Sequence, residues 1–268
     1  QTLLFSATND LPFILMLPSY TATAWYHRRL PPELQNRPLR DVLNDAETFA
    51  IGDYSTALLR IDRLSDAERK SLASNYSRLT GLSEDFVLDN NFRIELAEFN
   101  KELLRKMRRT TGRLDSRFLG IDRDSAGTGP DFDPSMAAIR PPYTSAFNDY
   151  VRRELGFKSD LEYYILGGGI GAPWNFGNAN QYADTSQNLK LAMAKNPYMK
   201  IFIASGYYDM ATPYFATQYT LSSMNLDSAL RKNVTTQYYE AGHMMYIERN
   251  SLRKLYEDVS KFIRSAQK

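Results

Sequence analysis

From Lys200 onwards the chain alternates strand-like and helix-like segments, and this alternation restricts its fold more than any other feature. Lys200 to Ala204 is a short apolar run. Val234 to Tyr239 is a second run, rich in the β-branched and aromatic residues that suit a pleated surface. Between them Pro213 opens a helical stretch that reaches Met224. Ser251 to Ser265 then places Leu252, Leu255, Val259, Phe262 and Ile263 on one helical stripe. Strand-helix-strand-helix order requires crossover connections, so it predicts the tail of a doubly wound α/β sheet. In such sheets the loops past the carboxyl ends of the strands carry the chemistry. Asp209 and His243 both fall there.

The preceding residues have a different texture. Residues 1–30 are apolar and close with Tyr20-Thr-Ala-Thr-Ala-Trp-Tyr-His27; Asn9 or Asp10 is placed to cap a helix with Pro12 in its first turn. So much apolar surface is expected to need a partner, and the isolated chain to be poorly soluble. Asp41 to Leu59 carries Val42, Leu43, Ala46, Phe49 and Ala50 at helical spacing. Ser65-Asp-Ala-Glu68 is a capping box for a helix that should stop near Gly81, and Ser83 starts another. Phe92 to Met107 reads as a further helix, Asp122 to Pro142 as a loop, and Ser145 to Leu155 as helix again. The expected organisation is a core segment over 1–30, a mostly helical insertion over 31–155, and a C-terminal α/β segment over 156–268.

Composition removes several classes. At 268 residues a large core is possible, as one domain or two. A formal net charge of +2 gives no field for nucleic acid or an anionic membrane. The absence of cysteine excludes disulfides and thiolate chemistry. No apolar run is long enough to span a bilayer; Leu11 to Leu17 is short and holds Pro12. The 18 tyrosines read first as core and strand residues, and second as pocket lining. The chain opens at Gln1 with no signal-like segment, so something is expected upstream.

The chemistry concentrates on Asp209 and His243. A histidine near its ordinary pKa can take a proton from a hydroxyl and return it to a leaving group. An aspartate can fix its tautomer and steady the imidazolium. Aspartate before histidine, each at a strand end, is the chain order of hydrolytic triads on α/β sheets, after an earlier serine. No Gly-x-Ser-x-Gly occurs to supply that serine. Gly242 suits the tight turn that presents His243. The other histidine, His27, lies beside Trp25, Tyr26 and Arg28 and reads as a surface or packing residue. Gly167-Gly-Gly-Ile-Gly171 lacks the lysine of a phosphate loop and reads as a plain loop. Trp174-Asn175 and Asn180-Gln-Tyr182 could line a pocket, with packing equally open. Asp122-x-Asp124 and Asp131-x-Asp133 lack the glutamate of a calcium loop and read as solvated loop; no metal site is expected. Arg105 to Arg113 reads as the polar end of a helix.

Four motifs carry a family resemblance. Asp10-Leu-Pro-Phe with Leu17-Pro-Ser-Tyr-Thr-Ala-Thr-Ala-Trp-Tyr-His27, and Thr111-Gly-Arg-Leu-Asp-Ser-Arg-Phe-Leu-Gly120, are the first two. Gly206-Tyr-Tyr-Asp-Met-Ala-Thr-Pro213 and Tyr238-Tyr-Glu-Ala-Gly-His-Met-Met-Tyr246 follow in order. Together they resemble the bacterial branch of the serine carboxypeptidases, peptidase family S10. The resemblance implies an α/β-hydrolase fold with a helical cap, and release of C-terminal residues from peptides through an acyl-enzyme, without a cofactor. It makes Asp209 and His243 the triad members and puts Met244 near the substrate pocket. It implies secretion or a periplasmic location. The family's Gly-Glu-Ser-Tyr-Gly nucleophile motif and its Trp-Asn-Gly-Gly-Pro-Gly segment are missing. The expectation is therefore a C-terminal piece whose partner is an N-terminal fragment carrying the serine. A carboxypeptidase-like esterase or acyltransferase, or a non-catalytic binding module on the same scaffold, stays open.

Overall fold

The computed structural model describes residues 9–161, 163 and 184–266. The glycine run at 167–171, Trp174-Asn175 and Asn180 to Tyr182 lie outside them. Within the described residues the chain is mixed α/β, with a large helical part and two small sheets.

Helix α1 (Leu11–Tyr26) is the centre of the helical part. Pro12 sits in its first turn, where a missing N–H costs nothing. Asp10 does not cap it. Its carboxylate instead receives Arg93 Nε at 2.7 Å and Nη2 at 2.9 Å, while Asn9 Oδ1 accepts from Leu11 N at 3.3 Å. The helix has no charged residue and is buried nearly all round, with Leu15, Leu17 and Tyr20 at 1% exposure or less. A helix buried on every side must satisfy its polar groups internally. Thr21 and Thr23 do so by donating to the carbonyls of Leu17 (3.2 Å) and Ser19 (2.8 Å). Tyr20 donates to Ile94 O at 3.2 Å and stacks on Phe99. The expectation that this apolar stretch needs an outside partner is thus corrected for residues 11–24: the same chain covers them.

Around α1 lie α2 (Leu39–Phe49), α3 (Asp66–Thr80), α4 (Glu84–Asp89) and α5 (Leu96–Glu102). The spaced residues Val42, Leu43, Ala46, Phe49 and Ala50 are the buried face of α2 and of the π-type turn that extends it. Ser65 and Glu68 form the expected capping box of α3. Gly81 ends that helix at φ 72°, and a Cβ there would lie 2.8 Å from that of Arg29. Ser83 Oγ accepts from Phe86 N at 3.3 Å and starts α4.

Two expected element boundaries fail here. Phe92 to Met107 is not one helix, because Asn91 and Phe92 are left-handed (φ 46° and 65°) and only Leu96–Glu102 is α-helical. The carbonyls of Phe92 and Ile94 serve Tyr54 (2.6 Å) and Tyr20 (3.2 Å) instead of a helix ladder. The loop from Asp122 ends at Asp133 rather than Pro142. There Asp133 Oδ1 accepts from Ser135 N at 2.9 Å and α6 (Pro134–Asp149) begins, with Pro141 and Pro142 inside it. That loop is also not simply solvated. Asp122 and Lys101 form an ion pair in which both side chains are at most 4% exposed, and Lys101 also donates to Asp124 O. Arg105, expected to sit at a polar helix end, donates to Ser125 O (2.7 Å) and Gly127 O (3.1 Å) and ties the loop down.

A two-residue antiparallel ladder, β1 (Thr110–Thr111) with β2 (Leu119–Gly120), closes the connecting loop 112–118. After α7 (Ser186–Lys195), strand β3 (Ile201–Gly206) leads through α8 (Tyr214–Ser223) to β4 (Val234–Tyr239), and α9 (Arg249–Ala266) follows. The strands pair in parallel, from Ile201 opposite Val234 to Gly206 opposite Tyr239. The strand-helix-strand-helix expectation holds in order and nearly in boundaries. The α9 stripe is less buried than its pattern suggests. Phe262 meets Phe202 with ring centroids 5.4 Å apart, but Leu252 and Ile263 are 47% and 51% exposed. Parallel strands are ordinarily covered on both faces. Here Ile201 to Ala204 are only half-buried. One apolar cluster runs from Phe13 through the helices to Tyr207, Tyr208 and Ala216, so the helical part and the end of β3 share a core.

Removing one partner of a buried ion pair strands the other charge, at a cost of about 3–5 kcal/mol. We expect Lys101→Ala to lower unfolding stability by that order in a urea titration. Lys101→Met with Asp122→Leu should recover most of the loss; a double variant as unstable as the single would refute the ion-pair explanation.

Candidate active site

Beyond their last residues β3 and β4 stay in step, with Tyr207 N donating to Tyr239 O and Tyr208 N to Ala241 O, both at 3.0 Å. Gly206 makes this possible. A Cβ on it would lie 2.3 Å from the carbonyl oxygens of both Ala241 and Gly242. The two turns that follow carry Asp209 and His243.

Asp209 is 3% exposed and its carboxylate is fully used. Oδ1 accepts the backbone N–H groups of Ala211 (2.8 Å) and Thr212 (2.9 Å). Oδ2 accepts the Thr212 hydroxyl (2.5 Å) and His243 Nδ1 (2.9 Å). With Nδ1 as the donor, the neutral ring keeps a lone pair on Nε2. The His243 side chain is 44% exposed, and Nε2 has no hydrogen-bond partner among the described residues. The bond to Asp209 raises the His243 pKa, against the opposing effects of partial burial and the Arg113 charge. Such a pair can accept a proton at Nε2 and stabilise the resulting imidazolium. The two residues expected to act together are in bonding contact. Met244 follows His243, half-buried at the start of a 3-10 turn, and does not line the cavity beside Asp209.

The 112–118 loop holds both turns, a role the sequence reading did not assign. Met210 N donates to Arg113 O (3.0 Å), Ser116 N to Tyr208 O (3.0 Å) and His243 N to Leu114 O (2.7 Å). Asp115, 3% exposed, accepts Gly242 N at 3.1 Å and Arg117 Nη2 at 2.7 Å on the same oxygen. Arg117 Nη1 reaches Glu240 O at 2.8 Å. Gly242 is required by this approach, since its Cβ would lie 2.4 Å from that of Asp115. The loop is in turn tied to α1: Thr23 and Ser116 hydroxyls are 2.6 Å apart, and His27 Nε2 is 2.8 Å from Ser116 O. His27 is thus the packing residue expected, with its pKa lowered by burial. Asp115 and Arg117 lie inside a motif that resembles a family, which was the one available signal. Their role depends on contacts from the distant Gly242 and Glu240.

A cavity of about 480 Å³ opens beside Asp209, lined by Met16, Leu96, Phe132 and Met210 and by the polar Asn100 and Arg113. A second, of about 240 Å³, lies against Thr212, Pro213 and Ile203. Ala211 lines both, so they flank the Asp209 turn. Among the described residues no cluster of three histidine or acidic groups is arranged to hold a metal ion.

Asp209→Asn should drop the His243 pKa, read as the imidazole proton shift in an NMR titration; an unchanged midpoint would refute the bond. Because the folded value is raised, the stability His243 contributes is full below its ordinary pKa of about 6.5 and is lost as pH climbs through the folded value. Gly242→Ala should cost about 1–3 kcal/mol through overpacking against Asp115, measured by denaturant unfolding. An alanine variant as stable as the parent would show that the turn has room.

No protein-family model, no curated protein and no solved structure matches this chain.

Proposed function

We propose that this chain is the cap and C-terminal part of a serine-type carboxypeptidase of the S10 kind, built on an α/β-hydrolase sheet. The observation that carries the reading is the 2.9 Å contact between His243 Nδ1 and Asp209 Oδ2, made past the ends of adjacent parallel strands. In this scheme a serine from an N-terminal segment attacks the last peptide carbonyl. Its proton passes to His243 Nε2 and on to the leaving amine, which departs as the C-terminal residue. Water then repeats the cycle on the acyl-enzyme, with His243 taking its proton and returning one to the serine oxygen. Asp209 keeps Nδ1 protonated throughout and steadies the charge. No cofactor is required, and a secreted or periplasmic location goes with this reading.

The two-stranded extent of the parallel sheet among the described residues supports an additional segment. Among the described residues β3 has β4 as its only strand neighbour, and its apolar residues are half-buried. A parallel strand in that condition is ordinarily continued and covered. The Asp209–His243 pair likewise lacks a hydroxyl on Nε2 among the described residues.

The test is the mass of the native particle, compared with the masses of its denatured polypeptides, together with peptide hydrolysis. A polypeptide bearing Gly-Glu-Ser-Tyr-Gly should accompany or continue this sequence. His243→Ala in that particle should lower kcat by about 10⁴-fold or more, as in other triads. A native particle of 30.7 kDa with no serine nucleophile, or a His243→Ala variant of undiminished activity, would end the proposal.

A further inference from the structure

We infer that Glu47 and Arg40, on α2 of the helical part, are positioning residues that clamp both ends of the turn carrying Asp209. Their effect on turnover rests on the hydrolase reading above. That turn lies between Tyr207, just past β3, and Tyr214, the first residue of α8. Both are held from α2. The buried Tyr214 hydroxyl donates to Glu47 Oε1 at 2.7 Å, and Arg40 Nη2 lies 2.5 Å from the same oxygen. The Arg40 guanidinium also stands over the Tyr207 ring, 5.9 Å from its centroid.

The rings between these two anchors form one cluster. Tyr207 and Tyr214 meet edge to face, with centroids 5.1 Å apart. Tyr207 also stacks on Tyr238 of β4, the strand that leads to His243, at 5.7 Å. Gln218 of α8 donates to the Tyr238 hydroxyl at 2.8 Å. The cluster therefore touches both strand ends that carry the functional pair.

Buried tyrosine clusters are ordinarily packing and nothing more. Two observations set this one apart. Only Pro213 separates Tyr214 from Thr212, and its ring holds φ at −59°. Thr212 supplies two of the four hydrogen bonds that the Asp209 carboxylate accepts among the described residues, from its N–H and its hydroxyl. A shift of Tyr214 thus passes through Thr212 to the oxygen that faces His243 Nδ1. The second observation is the charge. An apolar side chain at position 47 would pack against the rings without desolvating a carboxylate, whereas Glu47 is only 18% exposed. A charged acceptor fixes where the Tyr214 hydroxyl sits, and apolar contact alone tolerates sliding.

Two readouts in the native particle separate the geometry from the chemistry. The bond to Asp209 raises the His243 pKa, so loosening the clamp lowers it. Tyr214→Phe and Glu47→Ala should each drop the His243 midpoint by about 0.5 pH unit in an NMR titration. His27, packed elsewhere, should not move and serves as the control for general loosening. Glu47→Gln keeps an oxygen that accepts the Tyr214 hydroxyl and should recover most of the drop seen with Glu47→Ala. In peptide hydrolysis Tyr214→Phe and Glu47→Ala should lower kcat about tenfold, with KM within about twofold of the parent. Placed on Thr212→Val, Glu47→Ala should cost less than it does alone, since both act along one path. An unmoved His243 midpoint in both variants would overturn the proposal. So would equal movement of both histidines, or a loss fully additive with Thr212→Val, either of which marks a general stabilising role. A shifted midpoint in a particle that hydrolyses no peptide would uphold the clamp and end the hydrolase reading instead.

Discussion

The structure turns on the buried carboxylate of Asp115. From a loop contributed by the connecting segment it reaches the backbone of Gly242 and the guanidinium of Arg117, and Arg117 goes on to the Glu240 carbonyl. The loop's own carbonyls and amides bond to Tyr208, Met210 and His243. A buried charge with these partners is costly to disturb, because losing one leaves a carboxylate unpaired in a low-dielectric site. The same loop is tied to α1 through Thr23, Ser116 and His27. The helical part and the strand ends are therefore one mechanical unit at the place where Asp209 and His243 meet.

The electrostatics of the pair follow from that rigidity. Two backbone amides and a hydroxyl hold the Asp209 carboxylate, so its orientation is set before His243 is considered. His243 Nδ1 then faces Asp209 Oδ2 at 2.9 Å with the Thr212 hydroxyl oxygen 3.2 Å away, and the side chain is 44% exposed. Preorganised acceptors of this kind need no rearrangement when charge develops on the ring. Two cavities meet at Ala211 on the Asp209 turn.

Much of the secondary structure was legible because it depends on neighbours in sequence. The Ser65–Glu68 capping box, the Ser83 cap, the Gly81 stop, the periodic face of α2 and the order of β3, α8, β4 and α9 all behave this way. Helix boundaries failed where distant side chains claimed the backbone. Tyr54 and Tyr20 take the carbonyls around Phe92 and Ile94, and a helix predicted from periodicity gives way. At Asp133-Pro134 the start signal was local, but the two prolines farther on argued against a helix that forms nonetheless. Exposure was misjudged in both directions: α1 is covered by its own chain, while Leu252 and Ile263 of the α9 stripe are exposed.

For the candidate site, the sequence by itself determined that only two histidines exist, that one follows a glycine at a strand end, and that an aspartate ends the preceding strand. Those are matters of residue type, turn chemistry and order, which short windows express. Only the tertiary structure decided that Asp209 and His243 touch, that His27 is packed against Ser116 instead, and that Asp115, Arg117 and Thr212 hold the pair. These contacts join residues far apart in sequence. Their energies depend on burial and on distances fixed to within tenths of an ångström, which no local pattern encodes.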